Sequence, residues 1–376
     1  MEERKKKFVQ GESSISEAGS SGLFAPNSMA IAFTGKPLTA LANTRTIGVR
    51  DSLSKTALSV EDITIYAENG ASSLGVGEHK ILMAGVSAFT EKNGTRDKKP
   101  DLRVSFDFMN YAKACGVEVE AKTMSTPEEQ AEEDERALTA IKHFQQKLRE
   151  NCKNLMHTSI NWTERINRKE AAYNGMVFIS AYRITSKTIT LEFSLSAADY
   201  MVQLPQTTRP IALYGIDDRK YNAYSIGCYL SAHYAMNQNV MAGTENLLRV
   251  ENILKKTKLP TKEEMVQSKS HRTWIGRAKE PFEEALDELK RCGLLSDWYY
   301  SHSKGIPLSD EEASAIDSYE EWSQLLLCFE VANFRPRAER RALIEAKKEK
   351  TKAKKEETKA STKSRKRKTK SKASEA

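Results

Sequence analysis

The chain has 376 residues, 39% hydrophobic and 29% charged, with a formal net charge of +8. That length accommodates two ordinary domains plus tails. No stretch reaches the roughly 18 apolar residues of a membrane span, and the charged start MEERKKK has no apolar run behind it, which argues against a secretory signal. Five scattered cysteines (Cys115, Cys152, Cys228, Cys292 and Cys328) form no CxxC pair, which disfavours a disulfide framework or zinc ribbon and suits a reducing cytoplasm.

The charge is unevenly spread. From Arg335 to Ala376 there are 18 Lys and Arg against 6 Asp and Glu, a surplus of +12, and the rest of the chain sums to −4. The basicity therefore belongs to the tail, and any polyanion site in the body must rest on local clusters.

Residues 1–45 are rich in Ser, Gly and Ala and read as a disordered segment with an attached arm around Met29 to Phe33. A strand is expected at Asp62 to Tyr66, then a helix over Val76 to Thr90 with Leu82, Val86 and Phe89 on one face. A short strand at Arg103 and Val104 precedes a helix from Phe106 to Cys115, with Ser105 as N-cap and Gly116 as stop. The acidic stretch STPEEQAEEDE reads as a loop leading into a long helix, Glu133 to Leu155. A strand from Met156 to Trp162, a hairpin over Met176 to Phe193 turning near Ser186, and a helix from Ala197 to Leu204 complete the block.

A second block repeats this order. A helix spans Asn222 to Met236, another centres on Val250 to Lys256, and a long helix runs from His271 to Cys292 with Gly293 as its stop. Pro281 either kinks that helix or starts a new segment. Strands at Leu294 to Ser301 and Gln324 to Val331 flank a polar insertion, Lys304 to Trp322. After Arg335 a Lys, Glu, Ala, Thr and Ser run lacks the apolar residues to build a core.

Helix, strand, helix, long helix, hairpin is the order of a winged helix, whose third helix offers its outer face to the major groove. The expected fold is α+β, with two tandem winged-helix domains at 46–205 and 206–334 between an N-terminal segment (1–45) and a basic disordered tail (335–376).

On the first long helix, Leu138, Ile141, Leu148, Cys152 and Leu155 share one face, and Lys142, Gln146, Arg149 and Lys153 form a stripe nearly opposite. Arg and Lys reach guanine edges or phosphates, and Gln pairs with adenine. The stripe fits a DNA-facing surface, and equally the solvated face of any surface helix. On the second, Trp274, Ala278, Phe282, Ala285 and Leu289 form the core face. Lys269, Ser270, Arg272, Thr273 and Arg277 cluster about its start, with Lys255 and Lys256 upstream. From Arg249 to Arg277 eight basic residues outnumber three acidic ones. Cations beside exposed helix N–H groups suit phosphate, whereas the bland alternative is a solvated charged surface.

Signals for catalysis are weak. TGKP at Thr34 to Pro37 has the GK of a phosphate loop, but Ala30 stands where its first Gly belongs. The six histidines form no His-x-His pair. Asp217 and Asp218 could be a metal pair, but GIDDRK reads more plainly as a turn. The chain is expected to be a non-enzymatic binding protein without cofactor or metal.

LGVGEHKILMAGVSAF (74–89), SFDFMNYAKACG (105–116) and ITLEFSLSAADYMVQL (189–204) resemble the first winged helix of theta-type plasmid and mobile-element replication initiators. YNAYSIGCYLSAHY (221–234), LLRVENILKKTKLP (247–260) and RAKEPFEEALDEL (277–289) resemble the second. The resemblance spans about Thr46 to Val331. The departures are the 304–322 insertion, the acidic loop and the basic tail. It implies binding to repeated double-stranded sites at an origin, contact with host replication proteins, a dimer that dissociates to active monomers, and a prokaryotic cytosolic setting. It also implies that Lys269, Ser270, Arg272, Thr273 and Arg277 enter one major groove, with Lys142, Gln146, Arg149 and Lys153 on the next groove or its backbone. A winged-helix transcriptional regulator, an origin nickase or nuclease, and an RNA-binding or structural protein driven by its tail are the competing expectations.

Overall fold

The computed structural model describes residues 75–93, 99–166, 169–204, 206–237, 247–257, 259–267, 273–302 and 306–332, together with strands β1 (Ser20–Ser21), β2 (Ala30–Phe33), β3 (Thr56–Val60) and β4 (Ile63–Ala67). It is a mixed α+β protein with several small, mostly antiparallel sheets. The expected tail after Arg335 lies outside the described residues. The N-terminal segment contains two strands: β1 pairs with the sheet of the first half, and β2 pairs with β10 (Gln206–Arg209). Strand β2 falls on the arm expected around Met29 to Phe33, β1 is an addition to that expectation, and the rest of 1–45 lies outside the described residues.

Helix α1 (Val76–Asn93) is buried on every side from Val76 to Thr90, as a helix apolar around most of its circumference must be. It packs under a sheet ordered β1-β5-β9-β8, formed by β5 (Arg103–Asp107), β8 (Ile179–Ile184) and β9 (Thr188–Phe193) with β1. Gly85 permits this approach, since a Cβ there would lie 2.6 Å from Leu191 Cδ1.

Strand β5 runs longer than its apolar pattern suggested, so Ser105 is not a cap. Its hydroxyl lies 2.8 Å from that of Thr190 across the sheet. Asp107 caps α2 (Phe108–Ala114) instead, accepting from the Asn110 N–H at 2.7 Å. The helix stops at Gly116, whose φ of +77° suits a residue without Cβ.

The long helix α3 spans Pro127–Met156, starting six residues before the expected Glu133. Thr126 and Glu129 form a capping box and Pro127 occupies the first turn, so the acidic stretch is helical. Its carboxylates sit at the positive end of the helix dipole. At 30 residues α3 is about 45 Å long, and its first half extends beyond the core. Leu138, expected on the core face, is 56% exposed, and dense packing begins only at Leu148, Cys152 and Leu155.

Strands β6 (Thr158–Ile166) and β7 (Lys169–Met176) follow and join β3 and β4 in a second sheet, ordered β3-β4-β6-β7. Trp162 stacks on Tyr173 at 4.5 Å and meets Tyr200 of α4 (Leu195–Met201) edge-on.

The second half repeats the order of α1, β5, α2, α3, β8 and β9. Helix α5 (Tyr221–Asn237) leads to β11 (Leu247–Arg249), α6 (Val250–Leu254) and a short α7 (Lys262–Gln267). A π-helical turn over Ile275–Lys279 then opens α8 (Glu280–Arg291). This settles Pro281. It has no N–H to give and its ring crowds the carbonyl four residues back, so the widened turn precedes it and α8 starts there. Gly293, with φ +74°, ends α8, and the Leu294 N–H returns to the Leu289 carbonyl.

Strands β12 (Leu295–Ser301) and β13 (Leu326–Val331) give the sheet order β11-β13-β12, so the first strand again pairs with the last. Gly227 of α5 allows close contact with α8, because a Cβ would lie 2.8 Å from Leu289 Cδ2.

The polar insertion is not an appendage. It forms α9 (Asp310–Ala315) and α10 (Tyr319–Gln324) and delivers Trp322 to the core at 0% exposure. Trp322 packs on Trp274 and Phe282 and donates to the Tyr300 hydroxyl at 3.0 Å. Trp322→Ala should lower unfolding free energy by about 3–5 kcal/mol, read as a fall in urea midpoint at constant slope. A loss below about 1 kcal/mol, the range of surface changes, would return the insertion to the periphery.

Candidate nucleic-acid interface

The expected stripe on α3 divides in two. Lys142 and Gln146 are exposed one turn apart, whereas Arg149 and Lys153 are half-buried. The Arg149 guanidinium donates to the Ile184 carbonyl at 3.2 Å, tying α3 to the end of β8. Gln146 lies 3.5 Å from the Glu150 carboxylate. Toward the N-terminus of α3, Glu128, Glu129, Glu132, Asp134 and Glu135 are all exposed and repel phosphate. The surface compatible with a polyanion therefore starts at Lys142.

In the second half, Lys269, Ser270 and Arg272 lie outside the described residues. Thr273 and Arg277 are exposed, and Ile275 between them is 45% exposed. Trp274 and Ala278, at 5% and 0% exposure, anchor the turn inward. Thr273, Ile275, Gly276 and Arg277 are the exposed residues of this segment. Ile275 was not singled out from the sequence, because an isoleucine amid core residues reads as core. Beyond this turn Glu280, Glu284 and Asp287 are exposed along α8, so the positive surface ends after Arg277.

The upstream lysines are partly neutralised. Lys255 pairs with Glu251 at 2.5 Å and Lys262 with Glu320 at 3.1 Å, while Lys256 is exposed. A cavity of about 190 Å³ beside α6 and α10 is lined by these same pairs.

Behind these surfaces, the GIDDRK segment joins the two halves. It is a turn, as the sequence suggested, with both aspartates engaged by cations. Arg219 hydrogen-bonds Asp217 and holds its carboxyl well below the usual range. Asp218 receives Lys80 of α1 at 2.7 Å on one oxygen and Lys147 of α3 at 2.6 Å on the other. Burial opposes its ionisation, but the two ammonium groups outweigh burial and lower its pKa. Lys80 is 3% exposed and also donates to the Ile216 carbonyl. Its neighbour His79 lies 2.6 Å from the Tyr224 hydroxyl. Glu78, 4% exposed, accepts from Asn154 at 2.8 Å and from the Gly75 N–H at 2.9 Å. Burial raises its pKa despite those bonds. On the far side of the turn, Lys220 reaches Glu288 of α8 at 2.5 Å, and Arg291 completes that site.

None of these junction residues was recognised from the sequence as a cluster. The signal that could have found it is the run Glu78, His79, Lys80 on a helix otherwise apolar on all sides.

All five cysteines are free thiols. Burial pushes the Cys115 thiol up to about 11, leaving it protonated at neutral pH. Among the described residues no three His, Cys, Asp or Glu side chains converge as a metal site, and no helix is long and apolar enough to cross a membrane.

Two measurements test the junction. Asp218→Ala strands the buried Lys80 ammonium and should cost about 3–5 kcal/mol of stability. Lys147→Ala removes a side chain that is 44% exposed and should cost below about 1 kcal/mol. Equal losses by chemical denaturation would contradict this asymmetry. Glu78 gives a pH signature. Its folded pKa lies above the value of 4.5, so the native state binds the extra proton. Its contribution is complete below 4.5 and is lost as pH rises through the folded pKa. Wild type should lose stability relative to Glu78→Gln as pH is raised through that window, and parallel curves would show that Glu78 titrates alike in both states.

The chain matches no protein-family model, and comparisons with curated proteins and with solved structures likewise give no match.

Proposed function

We propose that this is a sequence-specific, double-stranded DNA-binding protein of two winged-helix units that initiates replication at repeated sites of a plasmid or mobile-element origin. The observation that carries the reading is the doubled order of elements. Each half contains, in order, a helix, a strand, a helix, the helix α3 or α8 and two antiparallel strands, with β6 and β7 added in the first half and α7 and the α9–α10 insertion added in the second. In each half the first strand pairs with the last (β5-β9-β8 and β11-β13-β12). In a winged helix the third helix enters the major groove and the hairpin flanks it.

On this reading Thr273, Ile275 and Arg277, with Lys269, Ser270 and Arg272 beside them in sequence, face bases and phosphates of one groove. Ile275 suits the thymine methyl, and Arg277 the guanine edge. Lys142 and Gln146 contact the adjacent groove. Arg149 braces α3 on the hairpin and Lys153 reaches the backbone. Lys255 and Lys256 flank the second unit, and the +12 tail adds nonspecific affinity through counterion release. Function then depends on binding and DNA distortion. The partners are duplex DNA, host replication proteins and a second copy of the chain, in a prokaryotic cytosol, with no cofactor.

An origin-bearing plasmid lacking its own initiator should replicate when this protein is supplied in trans. Retained specific binding with no replication would instead give a transcriptional regulator. Relaxation of supercoiled DNA in Mg²⁺ or Mn²⁺ would give a nickase. At the level of single residues, Arg272→Ala and Arg277→Ala should each weaken the selected site by about 1–3 kcal/mol and nonspecific DNA less. Lys142→Ala should weaken both alike and make the log–log salt slope shallower by about 0.9. Equal losses on both DNAs for the arginines would make them phosphate contacts.

A further inference from the structure

Within the turn at the head of the second half, three consecutive residues connect the two long helices. Asp218 takes Lys147 of α3 at 2.6 Å, and Lys220 takes Glu288 of α8 at 2.5 Å, with only Arg219 between them. The turn is held from a third side by α1. Lys80 binds Asp218 at 2.7 Å and His79 meets Tyr224 at 2.6 Å. The three elements touch closely enough that a Cβ on Gly77 would lie 2.7 Å from Asn151 Nδ2 and 3.0 Å from Asp218 Oδ2. Glu288 is 6% exposed and both its oxygens are occupied by Lys220 and Arg291.

We propose that this turn is a spacing clamp, in which Asp218, Lys220 and Glu288 are positioning residues that fix the offset between α3 and α8 and hence the separation of the two DNA segments read by one molecule. The inference rests on the DNA-binding reading.

Physical economy favours a role in position over one in stability. Lys80 and Glu288 are the buried members of this network, and a buried ion pair is often no more stabilising than apolar packing of the same volume, its best-attested use being to specify register. An ammonium seated on a carboxylate that already has a second cation has one place to sit. The clamp also lies close to the first proposed reading surface, because Lys147 follows Gln146 directly on α3. Two modules held at a fixed offset gain avidity only from sites whose spacing matches, and lose it when the geometry forbids joint engagement.

The test uses the full chain and duplexes that wild type enriches from a random library. Spacers of one to five base pairs are then inserted between the two contacted segments. Wild type should lose about tenfold or more by the end of the series, since about five base pairs turn the second segment to the opposite side of the helix. Asp218→Asn should flatten that profile to within about threefold, while affinity for either isolated segment stays within about twofold of wild type. Lys220→Gln, whose side chain is 48% exposed, breaks the same bridge with less risk to folding and should flatten it in the same direction. An unchanged spacing profile in Lys220→Gln overturns the clamp. So does a parallel loss on isolated segments and full sites, because that is what a merely structural residue gives. If wild type enriches no bipartite sequence, the DNA-binding reading fails and takes the clamp with it. A bipartite site with variant-independent spacing sinks the clamp alone.

Discussion

A lysine ammonium at 3% exposure is the constraint from which much of this structure follows. Lys80 sits on the most deeply buried helix and needs an anion and further acceptors, because a charge removed from water without compensation costs several kcal/mol. Asp218 supplies the anion and the Ile216 carbonyl a second acceptor. Those two residues belong to the segment that opens the second half, so satisfying Lys80 brings the start of that half against α1. The same aspartate then takes Lys147, which brings in α3. One buried charge thus brings three elements to a point, and the neighbouring Lys220 extends the contact to α8.

The charge distribution follows a related logic. The six carboxylates from Glu128 to Glu135 sit in the first turns of α3, where the helix dipole favours them. They also bar that end of the helix from any polyanion. On α8 the sign order reverses: Arg277 and Lys279 precede the acidic residues Glu280, Glu283 and Glu284. At the candidate interface, exposed positive residues lie in the middle of α3, at Lys142, and in the π turn ahead of α8, at Arg277. A net charge of +8 conceals this arrangement, because the tail beyond Arg335 accounts for more than all of it.

How much of this was legible in the sequence depended on the range of the interaction that decided it. Local signals served well. The apolar faces of α1 and α5, the stops at Gly116 and Gly293 and the β8–β9 turn all rest on contacts within a few residues. The start of α3 was also local, since Thr126, Pro127 and Glu129 spell a capping box, but the density of glutamates around it resembles a solvated loop. Non-local pairings were not legible. The hairpins β3–β4 and β6–β7 are joined into one sheet by the pairing of β4 with β6, which sets Ile63 against Trp162. Trp322 lies in a polar stretch, and only the cluster of Trp274, Phe282 and Tyr300 makes it core. Lys147 lies about 140° around the helix from Lys142 and off its stripe, but its partner is an aspartate 71 residues away, which helical position does not reveal.

The two halves share an order of elements but begin α3 and α8 by different means, and the difference places their exposed polar residues. Helix α3 is continuous, so Lys142 and Gln146 lie mid-helix, within about one turn of Lys147 and the junction. Helix α8 is interrupted at its start by Pro281, and the π turn that accommodates the proline carries Thr273 to Arg277 some three turns, about 16 Å, ahead of the junction contact at Glu288. The second surface is therefore held by its own core anchors, Trp274 and Ala278, as well as through α8, whereas the first lies beside the Asp218–Lys147 contact itself.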